Sequence, residues 1–211
     1  MTNYELIYFE LNGRAGGIRL FLDYLQVPFV DTRISRQDWP DFKPKMKFGQ
    51  IPVLKILDKG IELPQSVAIL RYLATKHGGM GTTPEDNAII DSFADFIQDT
   101  IIAVRPWIWS NTKNMAEEEK LKQYNETLLP ALRDSFVPAV SDQLKKNGSG
   151  FLVGKTVTWI DFMLADVVDR VDKLVPPEGQ KVLEPLIPHR NKIFSLPNLE
   201  KQLQNRKQYI F

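Results

Sequence analysis

Residues 6–25 read LIYFELNGRAGGIRLFLDYL. The run opens as an apolar strand, breaks at a loop holding Gly13, Gly16 and Gly17, and resumes as an amphipathic helix whose face carries Ile18, Leu20, Phe21, Leu22 and Leu25. A dinucleotide fingerprint needs G-x-G-x-x-G and a P-loop needs G-x-x-x-x-G-K-[ST], because backbone N–H groups must wrap a phosphate and a lysine must neutralise it. Neither spacing is present. The glycines therefore read as permissive turn residues, and Tyr8 stands at the open end of the strand.

Working outward, PFVDTRIS (28–35) gives a second strand, with Val30, Thr32 and Ile34 alternating with polar neighbours. RQDWPDFKPKMKFGQ (36–50) holds Pro40 and Pro44 and reads as irregular. IPVLKILDKGIEL (51–63) is a hairpin turning at Asp58-Lys59-Gly60, and SVAILRYLATKHGG (66–79) is a helix opened by Ser66 as N-cap and closed by Gly78. The order βαβ then ββα describes a compact α/β unit. A Gly/Thr/Pro-rich linker follows at 78–86. Everything beyond it is helical, with long periodic segments over 85–111, 115–146 and 159–175, interrupted at Pro106, Pro130 and Pro138. Thr158-Trp-Ile-Asp161 has the shape of a capping box and predicts a helix start. The tail from Ser195 adds one more helix and an extended aromatic end.

Composition narrows the chemistry. The 211 residues are 43% hydrophobic, enough for a real core, and 27 Lys+Arg nearly cancel 26 Asp+Glu. No basic field is available to hold nucleic acid or an anionic membrane. With no cysteine, the chain has no disulfide, no thiolate metal ligand and no thiol nucleophile, so any sulfur chemistry uses a ligand's sulfur. His77 and His189 lack partners at ligand spacing, which argues against a metal site. The start MTNYELIYFE lacks a signal-like pattern and no run approaches a membrane span, so the chain reads as soluble and cytoplasmic.

Several residues carry two readings at this stage. Tyr8 is either a strand-end aromatic packed on the core or a hydroxyl donor. Pro52 opens a strand in trans, or in cis turns the backbone of Ile51 outward toward an extended peptide. Ser66 caps a helix, and the same helix N-terminus can hold a carboxylate. Trp107 belongs to the core or to a pocket.

Taken together, Tyr8, IRL, DWPDFKPK, FGQIPVL, LPQSVAILRYL and TVTWIDF, in this order, resemble the cytosolic glutathione S-transferases. Within them the match is to the sigma class, which includes nematode enzymes and glutathione-dependent prostaglandin D synthase. The resemblance implies a thioredoxin-like amino-terminal domain (1–79, a mixed four-stranded sheet in βαβ-ββα order) that binds glutathione. It implies an all-α domain (80–211) supplying the hydrophobic substrate site and dimer contacts. Tyr8 becomes the catalytic hydroxyl with Arg14 beside it. Trp39 and Lys43 would bind the glycine end of glutathione, Gln50, Ile51 and a cis Pro52 the cysteinyl backbone, and Gln65 and Ser66 the γ-glutamyl carboxylate. Asp95 would reach the other subunit's γ-glutamyl ammonium in a homodimer. The second-substrate pocket would be bordered by Phe9, Gly13, Arg14, Asp99, Trp107, Tyr209 and Phe211.

The implied activity is transfer of glutathione to hydrophobic electrophiles, with hydroperoxide reduction or prostaglandin H2 isomerisation as relatives of that chemistry and no metal required. A non-catalytic carrier of haem or other apolar ligands, and a crystallin-like structural relative, are the competing classes. Two departures stand out. Gly16 and Gly17 replace the glutamate and larger residue usual after GRA, which is expected to loosen the first helix turn, and the 53–66 hairpin is two residues longer than is common.

Overall fold

A computed structural model describes residues 3–113 and 115–206; Tyr209 and Phe211, and with them the aromatic end of the tail, lie outside the described residues. The amino-terminal half contains β1 (Tyr4–Phe9), α1 (Gly16–Tyr24), β2 (Phe29–Ile34), a short α2 (Trp39–Phe42), β3 (Val53–Ile56), β4 (Ile61–Pro64) and α3 (Ser66–His77). The strands form one sheet in the order β2-β1-β3-β4, with β1 parallel to β2 and the other neighbours antiparallel. This is the mixed, thioredoxin-like sheet that the family resemblance implies.

Alternation along β1 divides its side chains between two layers. Tyr4, Leu6 and Tyr8 join the main core, where α1 and α3 pack and which continues into the helical half. Ile7 points the other way, into a small cluster with Ile34, Met46 and Val53, against which Trp39 and Phe42 lie. The segment containing Pro40 and Pro44 thus builds short turns that roof the second face. On edge strand β2 the expected alternation fades: Ile34 is buried, but Val30 is 49% exposed.

The remaining helices are α4 (Pro84–Ala103), α5 (Arg105–Thr112), α6 (Glu117–Gln123), α7 (Val137–Asn147), α8 (Trp159–Asp172), α9 (Pro177–Leu183), α10 (Ile187–Phe194) and α11 (Glu200–Arg206). Pro106 lies in the first turn of α5, where its missing N–H costs nothing, and marks the break from α4. Between α6 and α7 the chain winds as π-helix at Tyr124–Leu128 and Ala131–Phe136, on either side of Pro130.

α8 is the axis of this half and is buried almost throughout. Its start is fixed by Asp161, which accepts from the Thr158 N–H at 2.8 Å, as the capping-box spacing predicts. Asp161 also accepts from the Leu152 N–H at 2.8 Å and contacts His189 Nε2 at 2.9 Å, so one carboxylate ties together the loop before α8, α8 itself and α10.

α1 presses directly on α8, and this explains Gly16 and Gly17. A Cβ on Gly16 would fall 1.9 Å from Asp166 Oδ1, and one on Gly17 would fall 3.0 Å from the Met163 Cα. Instead of loosening the first turn, the two glycines let it seat tightly: both are buried, and Gly16 has helical angles (φ −60°, ψ −47°).

Candidate active site

Where the sheet's open end meets α4 and α5 lies a cleft of about 800 Å³. On the sheet side it is lined by Phe9, Trp39, Gln50, Ile51 and Pro52, with Gln65 and Ser66 at the start of α3. The helical side is a stripe made by Asp95, Gln98, Ile102, Arg105 and Trp109. Spacings of three and four residues put Asp95, Gln98 and Ile102 on one face of α4, and Arg105 and Trp109 on one face of α5.

Tyr8 sits one layer beneath this surface, 7% exposed, its ring edge-on to Phe9 at 5.7 Å, while Phe9 in turn meets Trp39 at 5.4 Å. The backbone N–H of Arg14 donates to Tyr8 Oη at 3.0 Å. Because that contact uses the phenol oxygen as acceptor, the phenol's own hydrogen stays available for another group. Gly13, at φ 40°, brings the backbone within reach; a Cβ there would come 2.5 Å from Tyr8 Oη.

The Arg14 guanidinium enters the cleft and donates to Gln98 Oε1. Gln98 Nε2 donates to Ser66 Oγ at 3.1 Å, so Gln98 joins the Arg14 loop to the start of α3. Burial holds the Arg14 guanidinium below its usual range, and Arg105 and Arg170 press in the same direction while Tyr8 opposes them.

Ser66 differs from its expected role. Gln65 occupies the N-cap position with φ 76° and ψ 114°, and Ser66 is the first residue inside α3, with no capping bond. A non-glycine residue held in that region is strained and persists where its surroundings fix it. Gln65 Nε2 is tied to Gln50 Oε1 at 3.1 Å, joining the two sides of the sheet end. The first turn of α3 contains no acidic residue, so its free amides and helix dipole face the cleft uncompensated. The Ile51-Pro52 bond is cis.

Of the remaining expected residues, Asp95 is exposed on the cleft stripe, and Lys43 is exposed on the turn beside Gly49, a lining residue. Asp99 is exposed outside the cleft lining. Trp107 is not on the lining either. It is 4% exposed, packs on Tyr124 with ring centroids 6.4 Å apart, and borders a separate hollow with Leu174 and Val175. Among the described residues no group of three or more His, Asp or Glu is placed to hold a metal, and no helix is long and apolar enough to cross a membrane.

The family model described as "Glutathione S-transferase, N-terminal domain" matches residues 4–75, and "Glutathione S-transferase, C-terminal domain" matches 98–206. The chain belongs to the glutathione S-transferase family. Glutathione S-transferase 1 of Ascaris suum is 37% identical over 98% of both chains. Hematopoietic prostaglandin D synthase of Rattus norvegicus is 31% identical over 99% of this chain and 98% of that one. A solved structure described as the monomeric Na-GST-3, a glutathione S-transferase from the hookworm Necator americanus, superposes with a TM-score of 0.86 at 34% identity over 97% of each chain.

Glutathione is the co-substrate of this family, and the chain is a glutathione transferase by full-length similarity to named members. The sequence reading missed Gln98, Ile102, Arg105 and Trp109 on the transferase cleft. A signal for the first two was present, since Gln98 and Ile102 lie three and seven residues beyond Asp95 on the same helix. The break before Pro106 hid the continuation.

Proposed function

We propose that this glutathione transferase is of the sigma class and uses Tyr8 to hold bound glutathione as its thiolate for attack on hydrophobic electrophiles. The observation that carries the proposal is the 3.0 Å bond from the Arg14 N–H to Tyr8 Oη, which orients the phenol and leaves its hydrogen to donate to sulfur. A thiol of pKa about 8.5 is only roughly 3% ionised at pH 7, and lowering it by about two units needs about 2.7 kcal/mol. A hydrogen bond to a charged group supplies about 1.5–3 kcal/mol. One phenol, with the Arg14 cation nearby, is of the right size for the task.

In this reading glutathione lies along the sheet side of the cleft. Its γ-glutamyl carboxylate meets the amides of α3 and Ser66, its cysteinyl backbone meets Ile51 with Gln50 alongside, and its glycine end meets Trp39 and Lys43. The glutathione-binding unit spans residues 1–79 and the helical unit 80–211. Asp95, exposed on the cleft rim, would serve the ammonium of glutathione bound to a second copy, and the transferase would work as a cytoplasmic homodimer. The monomeric description of the hookworm relative makes sedimentation an informative check. The likeness to a prostaglandin D synthase supports including prostaglandin H2 among the substrates tested.

The test is titration of enzyme-bound glutathione by thiolate absorbance. Wild-type protein should ionise the thiol well below the free value and Tyr8→Phe should return it close to that value. An unchanged titration in Tyr8→Phe would remove the hydroxyl from the mechanism.

A further inference from the structure

Arg14 and Arg105 both line the cleft, and neither has a carboxylate partner among the described residues. Arg14 donates to a neutral amide, and its charged neighbours include Arg105 and Arg170. Arg170 is balanced by Asp166 at 2.9 Å. Arg105 carries no such balance: its guanidinium lies 5.8 Å from the centre of the Trp109 ring and makes no ion pair among the described residues. Asp95 is the acid on the lining, but it stands ten residues earlier, on α4, across the break at Val104, and makes no ion pair with Arg105. A half-buried cation placed near another cation is relieved by a ligand anion.

The glutathione pose proposed above already directs both carboxylates of that molecule elsewhere, to the start of α3 and to Trp39 and Lys43. The charge at Arg105 is left for the second substrate. Its surroundings describe the rest of that molecule. Ile102 and Trp109, each 51% exposed, offer apolar surface on either side of Arg105 along the stripe. Gln98, which holds Arg14, is on α4, seven residues before Arg105 at the start of α5.

We propose that the second substrate is an amphipathic electrophile bearing a carboxylate. Its apolar body lies on Ile102 and Trp109, its carboxylate pairs with Arg105, and its reacting carbon lies toward Arg14. The inference rests on the reading of this cleft as the glutathione site. With an unsaturated ketone as the electrophile, the glutathione thiol gives up its proton to water, the thiolate sulfur bonds to the β-carbon as the C=C π pair shifts toward the carbonyl, and a proton returned from water ends on the α-carbon. The carboxylate takes no part in the bond changes, and no oxidant or reductant is consumed.

The experiment compares an α,β-unsaturated ketone whose alkyl chain ends in a carboxylate with its methyl ester, glutathione being the co-substrate for both. In wild-type enzyme kcat/KM for the acid should exceed that for the ester about five- to tenfold at low salt, as a partly exposed charge-assisted bond allows, and the ratio should shrink as salt is added. Arg105→Gln should bring the ratio to about one, Arg105→Lys should retain most of it, and Arg105→Glu should favour the ester. Equal turnover of acid and ester by wild-type enzyme, or an unaltered ratio in Arg105→Gln, would overturn the assignment. Should Arg105→Gln fail to fold, the salt dependence of the wild-type ratio and the Arg105→Lys and Arg105→Glu ratios decide. Tyr8→Phe, measured in parallel, should slow acid and ester alike. If it slows neither, the thiolate mechanism fails, and the acid-to-ester ratio still judges the role of Arg105.

Discussion

On the sheet side of the cleft each lining residue is fixed by a strand end or a helix start: Phe9 by β1, Ile51 and Pro52 by the entry to β3, Gln65 and Ser66 by the entry to α3. On the helical side five residues form a stripe on α4 and α5, of which Gln98 is tied by hydrogen bonds to Arg14 and Ser66. The first wall is specified by backbone geometry. The second can change its chemistry one side chain at a time without disturbing a sheet. A recurring co-substrate suits the first wall and a varying partner suits the second, and in this chain the second wall carries Arg105 and Trp109.

The comparison also has a hidden side, because the helical half reaches round to hold the loop of the sheet half. Arg206, at the end of α11 and 2% exposed, pairs with Asp166 at 2.7 Å and Asp169 at 2.6 Å on α8, and its backbone oxygen accepts from Asn12 Nδ2 at 3.2 Å, next to Gly13. Burial alone would raise the Asp169 pKa, but Arg206 and Lys173 overrule it and hold that carboxyl below the usual range. Arg206→Ala leaves two carboxylates buried with fewer partners and is expected to cost about 3 kcal/mol, read from denaturant midpoints. A loss under about 0.5 kcal/mol would mean that the helical half does not anchor the loop through this residue.

Tyr8→Phe tests the sheet wall itself. It should lower kcat with a standard aryl electrophile roughly tenfold or more, in line with a bond worth about 1.5–3 kcal/mol, while leaving the unfolding midpoint nearly unchanged. A large fall in stability with intact turnover would exchange its catalytic role for a packing one.

Gly16→Ala probes the contact between the halves. The added methyl meets Asp166 Oδ1, so the carboxylate must move against Arg170 and Arg206, at an expected cost of about 1–2 kcal/mol. Thermal unfolding of Gly16→Ala beside an alanine change at the half-buried Gly154 gives the contrast. Gly154 has nothing within 4 Å of an added Cβ, and its left-handed φ of 70° supplies the backbone cost alone.

The smallest expected effect lies on the outer face, where Asp23 of α1 borders a hollow with Asp31 and Lys201. Burial, with Asp31 adding to it and Lys201 opposing, pushes the Asp23 carboxyl up to about 6. A folded pKa above the unfolded value means the contribution to stability is present below about pH 4 and is lost as pH rises through about 6. Asp23→Asn should therefore stabilise the protein by about 1 kcal/mol at pH 8, after allowance for solvent screening, and give no such gain at pH 4. Equal effects at both values would exclude the ionisation as the cause.

Much of the sheet half is written locally. The strand composition of YELIYF and the turn at Asp58-Lys59-Gly60, like the capping-box pair Thr158 and Asp161 in the helical half, each depend on neighbours in the chain, and each is present as read. What escaped local reading depends on distant partners. Gly16 and Gly17 take their meaning from α8, some 150 residues away in sequence. Gln65 takes over the cap position from Ser66 because its backbone turns left-handed, which its side chain does not advertise. Trp107 and Trp109 cannot be ranked by composition: the break at Val104, before Pro106, sets which of them faces the cleft. Val30 belongs to an edge strand, where apolar character does not guarantee cover.

The Asn12–Arg206 hydrogen bond spans 194 residues and reaches nearly the full length of the chain. During synthesis the loop bearing Gly13 and Arg14 leaves the ribosome well before Arg206, the residue that fastens it. The order of translation therefore lets the sheet form early and leaves the Gly13–Arg14 loop unfastened until α11 has emerged, so a chain cut short before that point carries the cleft's sheet-side wall without the anchor behind it.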